Sequence, residues 1–226
     1  MSENIKKQKY IPTIDSKLRH RFVSVPKSIY KCSGISIFNK RIKSLLFTTD
    51  VAIIRNANAD SIIAVYPYTP QITITQSVLS VASVPCFIGV GGGTTSGQRS
   101  VYMALQAELL GAYGVVVNAP IRDHVITEIA HTVDIPVIAT ISSEKDDYKE
   151  KFYSGARILN VSAAKNTAKL VRKIREEMGE EIPIIATGGK TDESIEETID
   201  AGANAITYTP PSSAEVFKEV METYRK

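Results

Sequence analysis

The sequence predicts an α/β protein, a single closed (βα)8 or TIM barrel, on three observations. Eight short segments rich in Val, Ile and Leu recur at even spacing, near residues 45, 63, 87, 116, 138, 159, 185 and 206. Their apolar runs do not alternate, which is the pattern of strands buried on both faces of an all-parallel sheet. A strand-helix-strand-helix unit repeats three times from Val84 onward, and no change of composition marks a second domain. An open doubly wound sheet is the alternative architecture; eight evenly spaced units favour the closed ring.

Residues 1–42 read as a basic N-terminal arm followed by FVSVP and GISIF, which would be extra strands or a hairpin closing the barrel floor. Residues 43–226 would form the barrel. It opens with KSLLFTT (Lys43 to Thr49), passes through the short helix-like DVAIIRNAN, and continues with SIIAVYP (Ser61 to Pro67). Three strands then begin with a β-branched residue and a proline: VPCFIGVGGG from Val84, IPVIATISS from Ile135 and IPIIATGG from Ile182. Proline is tolerated where a strand begins. Each is followed by a helix, a Gly-Ala pair and another strand: GAYGVVVNAP from Gly111, GARILNVSAA from Gly155 and GANAITYTPP from Gly202. The glycine suits a helix end that must turn left-handed.

Composition sets outer limits. With 43% hydrophobic and 23% charged residues among 226, the chain has the balance of a soluble globular protein. No apolar run reaches the roughly eighteen residues of a membrane span, and MSENIKKQKY lacks a secretory core, so the expected location is the cytoplasm and no membrane partner is expected. Two cysteines are too few for a disulfide framework, and Cys86 reads as a small hydrophobe inside a strand. The net charge of +3 is too small by itself to argue for nucleic acid, and the basic front of the chain has no recognisable binding motif, so a nucleic-acid partner is not expected. Lys6, Lys7, Lys9, Lys17, Arg19, Arg21 and Lys27 instead suggest a solvated, partly ordered arm. A homo-oligomer stays open.

In such a barrel the active groups gather at the carboxyl ends of the strands. Alignment of the repeats sorts side chains by face. Val115, Leu159 and Ile206, with Val117, Val161 and Tyr208, would pack under helices; Val116, Asn160 and Thr207, with Asn118, Ser162 and Thr209, would point into the mouth. Thr140 and Thr187 share one register with Gly89, and Ser142 shares the next with Gly91 and Gly189. Tyr66 and Tyr68 share parity with Ala64, which would bring both phenols near the rim. Around a reacting carbon the candidates are Asp50, Tyr66, Asn118 and Asn160, with Asp50 equally suited to cap its helix. His124, just after the fourth strand, could act as acid or base. Lys145 is a weaker candidate of the same kind. His20 and His131 read as structural. The histidines are scattered, so no metal site is expected, and no lysine sits at an inward strand position to form a Schiff base.

Two glycine-rich turns raise the question of anion binding. After the seventh strand come Gly188, Gly189 and Lys190; after the eighth, Ser212 and Ser213 open a helix, with Ser212 and Glu215 at capping-box spacing. Freed N–H groups and a helix start make a phosphate seat. The segment resembles the phosphate-binding (βα)8 barrels of the ribulose-phosphate-binding type, which implies a phosphorylated small molecule held by Gly188, Gly189, Ser212 and Ser213, with Lys190 adding charge. That resemblance implies isomerase, epimerase or lyase chemistry. Pro210 and Pro211 depart from it by removing N–H donors.

GVGGGTTSGQRS, after the third strand, is not a P-loop, because Gln98 and Arg99 stand where Lys and Ser/Thr are needed, and not a dinucleotide fingerprint, because no acidic residue ends the following strand. Gly91, Gly92, Gly93 and Arg99 are left as a lid or second anion site. No cofactor is required by these residues, although ATGG is also similar to the FMN phosphate loop of barrel flavoproteins. An FMN oxidoreductase and a non-catalytic sensor of a phosphate metabolite are therefore the alternatives to the isomerase or lyase reading.

Overall fold

The structure, a computed structural model, describes residues 10–14 and 23–225. The basic positions Lys6 to Arg21 and His20 lie outside the described residues. Lys27 opens a 3-10 turn (Lys27–Lys31). GISIF begins the hairpin strand β1 (Ile35–Ile37), paired antiparallel with β2 (Lys40–Ile42), whereas the described part of FVSVP, residues 23–26, forms no strand and contributes one bridge, Val23 to Ala57.

The barrel follows as β3 (Ser44–Phe47), α1 (Val51–Arg55), β4 (Ser61–Ala64), α2 (Ile72–Val81), β5 (Cys86–Gly91), α3 (Gln98–Leu109), β6 (Gly114–Val117) and α4 (Asp123–Thr132). It continues as β7 (Val137–Ile141), α5 (Tyr148–Tyr153), β8 (Ile158–Val161), α6 (Thr167–Met178), β9 (Ile184–Thr187), α7 (Asp192–Asp200), β10 (Ala205–Tyr208) and α8 (Ser213–Tyr224). β3 to β10 pair in parallel, in chain order, and close through β10 against β3. The chain is thus a TIM barrel.

The repeated prolines and glycines explain why these strands start and stop where they do. Pro85, Pro136 and Pro183 stand just before β5, β7 and β9, where an N–H is dispensable. Their carbonyls still accept from Ile62, Val115 and Leu159 of neighbouring strands at 2.9–3.0 Å. Gly111, Gly155 and Gly202 follow α3, α5 and α7 at φ of +94°, +120° and +108°, the left-handed turn that a side chain disfavours.

Two cores result from the alternation of side chains. The outer one lies between strands and helices and contains Val115, Val117, Leu159, Val161 and Ile206. Cys86 belongs to it, and burial pushes its thiol up to about 12. The inner one takes one residue from each strand: Leu45, Ile63, Phe87, Val116, Ile138, Ile158, Ile185 and Ala205. Ile37 and Ile42 of the hairpin join this ring from below.

Candidate functional site

Two residues beyond each member of the apolar ring, the next inward position faces the barrel mouth. β6 to β10 place Asn118, Thr140, Asn160, Thr187 and Thr207 there, while β3, β4 and β5 place Phe47, Val65 and Gly89. With Ile63, Ser162 and Thr209 these residues, Gly89 excepted, line a cavity of about 230 Å³. Its wall is therefore divided into a hydrogen-bonding arc and an apolar arc. Phe47 and Val65 were not legible as mouth residues by polarity, but the two-residue step from Leu45 and Ile63 leads to them.

The polar arc is internally wired. Asn160 Nδ2 donates to Thr140 Oγ1 and Thr140 Oγ1 donates to Asn118 Oδ1, both at 3.2 Å; Thr187 Oγ1 donates to Ser162 Oγ at 3.1 Å. Asn160 and Thr207 are 8% and 6% exposed, yet Asn160 Oδ1 and Thr207 Oγ1 have no hydrogen-bond partner among the described residues. Buried polar atoms are nearly always paired, so two orphans in one cavity mark it as a place for a ligand group or water.

Two further cavities adjoin the mouth and share Val65 and Asn118 with it. A vestibule of about 670 Å³ lies over Phe47, Asp50, Tyr66, Pro210, Pro211 and Glu215. A smaller cavity of about 210 Å³ lies between Tyr66, Tyr68 and the Gly91–Gly92 turn. Tyr66 lines both, and its Oη accepts the Gln71 N–H at 2.8 Å. Ala64 packs into the outer core at the end of β4, and Tyr66 and Tyr68 lie beyond the strand, lining the rim cavity. Tyr68 is 77% exposed.

Asp50 caps α1, its Oδ1 accepting from Ala52 and Ile53 N–H, while its Oδ2 accepts from Ser213 Oγ at 2.5 Å. The Ser213 hydroxyl, joined by backbone N–H groups of Ile53, Ala52 and Ser213, holds this carboxyl below the usual aspartate range. At the same end of α8, Ser212 and Glu215 form the anticipated capping box, in which Ser212 N–H and Oγ donate to Glu215 Oε2 at 2.7 Å. The Ser212 N–H keeps Glu215 ionised as well. The start of α8 thus faces two carboxylates of the protein itself.

Gly188 and Gly189 have packing reasons to be glycine. A Cβ at Gly188 would lie 2.7 Å from Ile206 and 2.9 Å from Ile195, and the Gly188 N–H already points to the Thr207 carbonyl at 3.4 Å. Gly189 has φ of +82° and abuts Ser194. Neither glycine, nor the exposed Lys190, lines the mouth or its adjoining cavities. Gly91 and Gly92 are likewise explained by contact: a Cβ at Gly92 would fall 2.2 Å from the Asn118 carbonyl oxygen. This turn positions Asn118, while Gly93 faces open space and Arg99 is exposed on the first turn of α3.

His124 is exposed in the first turn of α4, outside the three cavities. Ser142 leaves the expected mouth register, its N–H and hydroxyl donating to Asp146 Oδ2 at 2.7 and 2.9 Å. Among the described residues no group of three or more His, Cys, Asp and Glu is arranged to hold a metal, and no helix is long and apolar enough to cross a membrane.

No family model matches the chain, and no curated protein matches it. Solved structures do. Phosphonopyruvate hydrolase, crystallised with oxalate and magnesium, is 12% identical with a TM-score of 0.63, over 82% of this chain and 81% of that one. A putative phosphonomutase from Burkholderia cenocepacia is 14% identical at 0.60, over 81% and 90%. A putative dihydrodipicolinate synthetase from Pseudomonas aeruginosa is 13% identical at 0.58, over 73% and 69%. At such identities the likeness is one of fold. These matches carry the barrel but not the ribulose-phosphate-binding assignment, and they lend no support to FMN. The ATGG turn is also committed elsewhere, since Thr187 bonds Ser162 and Gly188 bonds Thr207.

Proposed function

We propose that this chain is a small-molecule enzyme of isomerase or lyase type whose ligand lies in the barrel mouth. One observation carries the reading: the inward residues change from an apolar ring to a hydrogen-bonding arc that ends in two buried, unpaired oxygens. Leaving a buried polar group unsatisfied costs about 1–3 kcal/mol, and a ligand that completes the bond recovers that cost. The phosphonomutase among the structural neighbours agrees with the isomerase side of this reading.

Two rim groups suit proton and charge handling. Tyr66 Oη accepts from Gln71 and retains its own proton for donation into the cavities. Asp50, held ionised, would stabilise positive charge developing on a ligand. The magnesium of the hydrolase structure does not fit the donor set here. Magnesium prefers carboxylate oxygens, whereas this mouth offers amides and hydroxyls, so no step is derived through a metal.

A phosphorylated ligand would have Lys190 and the Gly189 turn on its side, against Asp50 and Glu215. A sensor that binds without turnover is the second reading, favoured because the mouth lining contains no ionisable side chain among the described residues. Native mass spectrometry of the purified protein, followed by incubation of whatever is released, tests these readings. Conversion of the released molecule by wild-type protein and its loss in Tyr66→Phe, with binding kept, supports the enzyme. Binding without conversion by either protein supports the sensor. A rise in melting temperature with phosphate or sulfate, abolished by Gly188→Asp, would restore the phosphate seat.

A further inference from the structure

The divided mouth constrains the chemistry of what enters it, on the reading that the mouth is the ligand site. We infer that the ligand is an uncharged, two-ended molecule: an amide-like or hydroxyl-bearing head bonded to Asn160 and Thr207, and an apolar body lying toward Phe47 and Val65.

The head follows from the direction of the hydrogen bonds. Asn160 gives one of its two amide N–H groups to Thr140, and its unpaired Oδ1 is an acceptor that calls for a donor from the ligand. Thr207 Oγ1 can give or take, and therefore pairs with an acceptor on the same head. An ionised carboxylate or phosphate offers acceptors alone and would set its charge against the Asn160 oxygen. Among the described residues no lysine, arginine or histidine lines the mouth or the vestibule to offset that charge. Asp50 and Glu215, both held ionised, border the vestibule and oppose an incoming anion.

The body follows from the other arc. Phe47, 38% exposed, and Val65 continue into the vestibule, where Tyr66, Pro67, Pro210 and Pro211 extend the apolar wall. Burying apolar surface there yields about 25 cal/mol per Å². A ligand with polar groups all round would leave this wall uncovered.

Ligand-observed NMR titration of the full chain with benzamide, benzoate and phenyl phosphate tests the inference, since the three probes share one ring and differ in the head. Benzamide is expected to bind at least about tenfold tighter than either anion, and about fivefold more weakly to Asn160→Leu or Thr207→Val than to wild type. Circular dichroism melts of both variants check that they fold, and Thr207→Val keeps the shape of the side chain. Benzoate or phenyl phosphate binding as tightly as benzamide, with loss of binding in Asn160→Leu, overturns the uncharged head but keeps the mouth. Equal binding of benzamide to wild type and both variants overturns the mouth itself. Absence of benzamide binding to wild type overturns the inference.

Discussion

The floor half and the mouth half of the barrel interior are built from the same eight strands, two residues apart, and differ in what each position is for. At the floor every inward side chain is apolar, and Leu45, Phe87, Val116 and Ile138 are wholly buried. At the mouth, five of the eight strands supply amides or hydroxyls, and two buried oxygens stay unpaired. The floor is packed to completion. The mouth leaves hydrogen bonds unmade, and an enclosed group that is polar yet unsatisfied contributes to recognition at the expense of stability.

Substitutions should therefore behave in opposite ways in the two halves. The largest loss is expected from Phe87→Ala, which opens a cavity in the floor ring and should cost about 3–5 kcal/mol in urea unfolding. A smaller loss marks the border: Gly92→Ala sets a Cβ against the Asn118 carbonyl at a φ of +118° and should cost about 2 kcal/mol. In the mouth the sign reverses. Thr207→Val removes an unpaired buried hydroxyl while keeping its volume, and should raise stability by about 1 kcal/mol. Destabilisation by that substitution would erase the distinction between the halves.

The smallest effect concerns acid. Asp50 has a folded-state carboxyl below its unfolded range, so its contribution is present above the unfolded value and is lost as pH falls through the folded one. Melting temperature measured across the acid range should thus fall less steeply for Asp50→Asn than for wild type. A parallel acid limb would mean that the Ser213 contact adds nothing.

The same comparison explains what could be read in advance. Strands and their faces were legible wherever the proline and Gly-Ala punctuation recurs, because Val116, Asn160 and Thr207 then align by simple counting. Where that punctuation is missing the counting has less to hold it: β4 ends at Ala64, and Tyr66 and Tyr68 lie beyond the strand. The glycines of both turns stood out by composition, but their neighbours could not be known. Gly188 is small because Ile195 and Ile206 crowd it, and Gly92 because the Asn118 backbone does. The bond from Ser213 to Asp50 spans 163 positions and leaves no local trace. The start of α8 consequently looked like an anion seat, when its anions come from the protein. Why Thr75 keeps an unpaired hydroxyl in the outer layer has no account in this structure.

That bond from Ser213 to Asp50, together with the pairing of Ile206 N–H to the Lys43 carbonyl at 2.8 Å, joins the first barrel segment to the last. During synthesis β3 must wait, with one edge open, until β10 has left the ribosome. Contacts so distant along the chain close slowly, and an unpaired edge is where chains associate wrongly. Premature termination before β10 should consequently yield aggregates and not a smaller working protein.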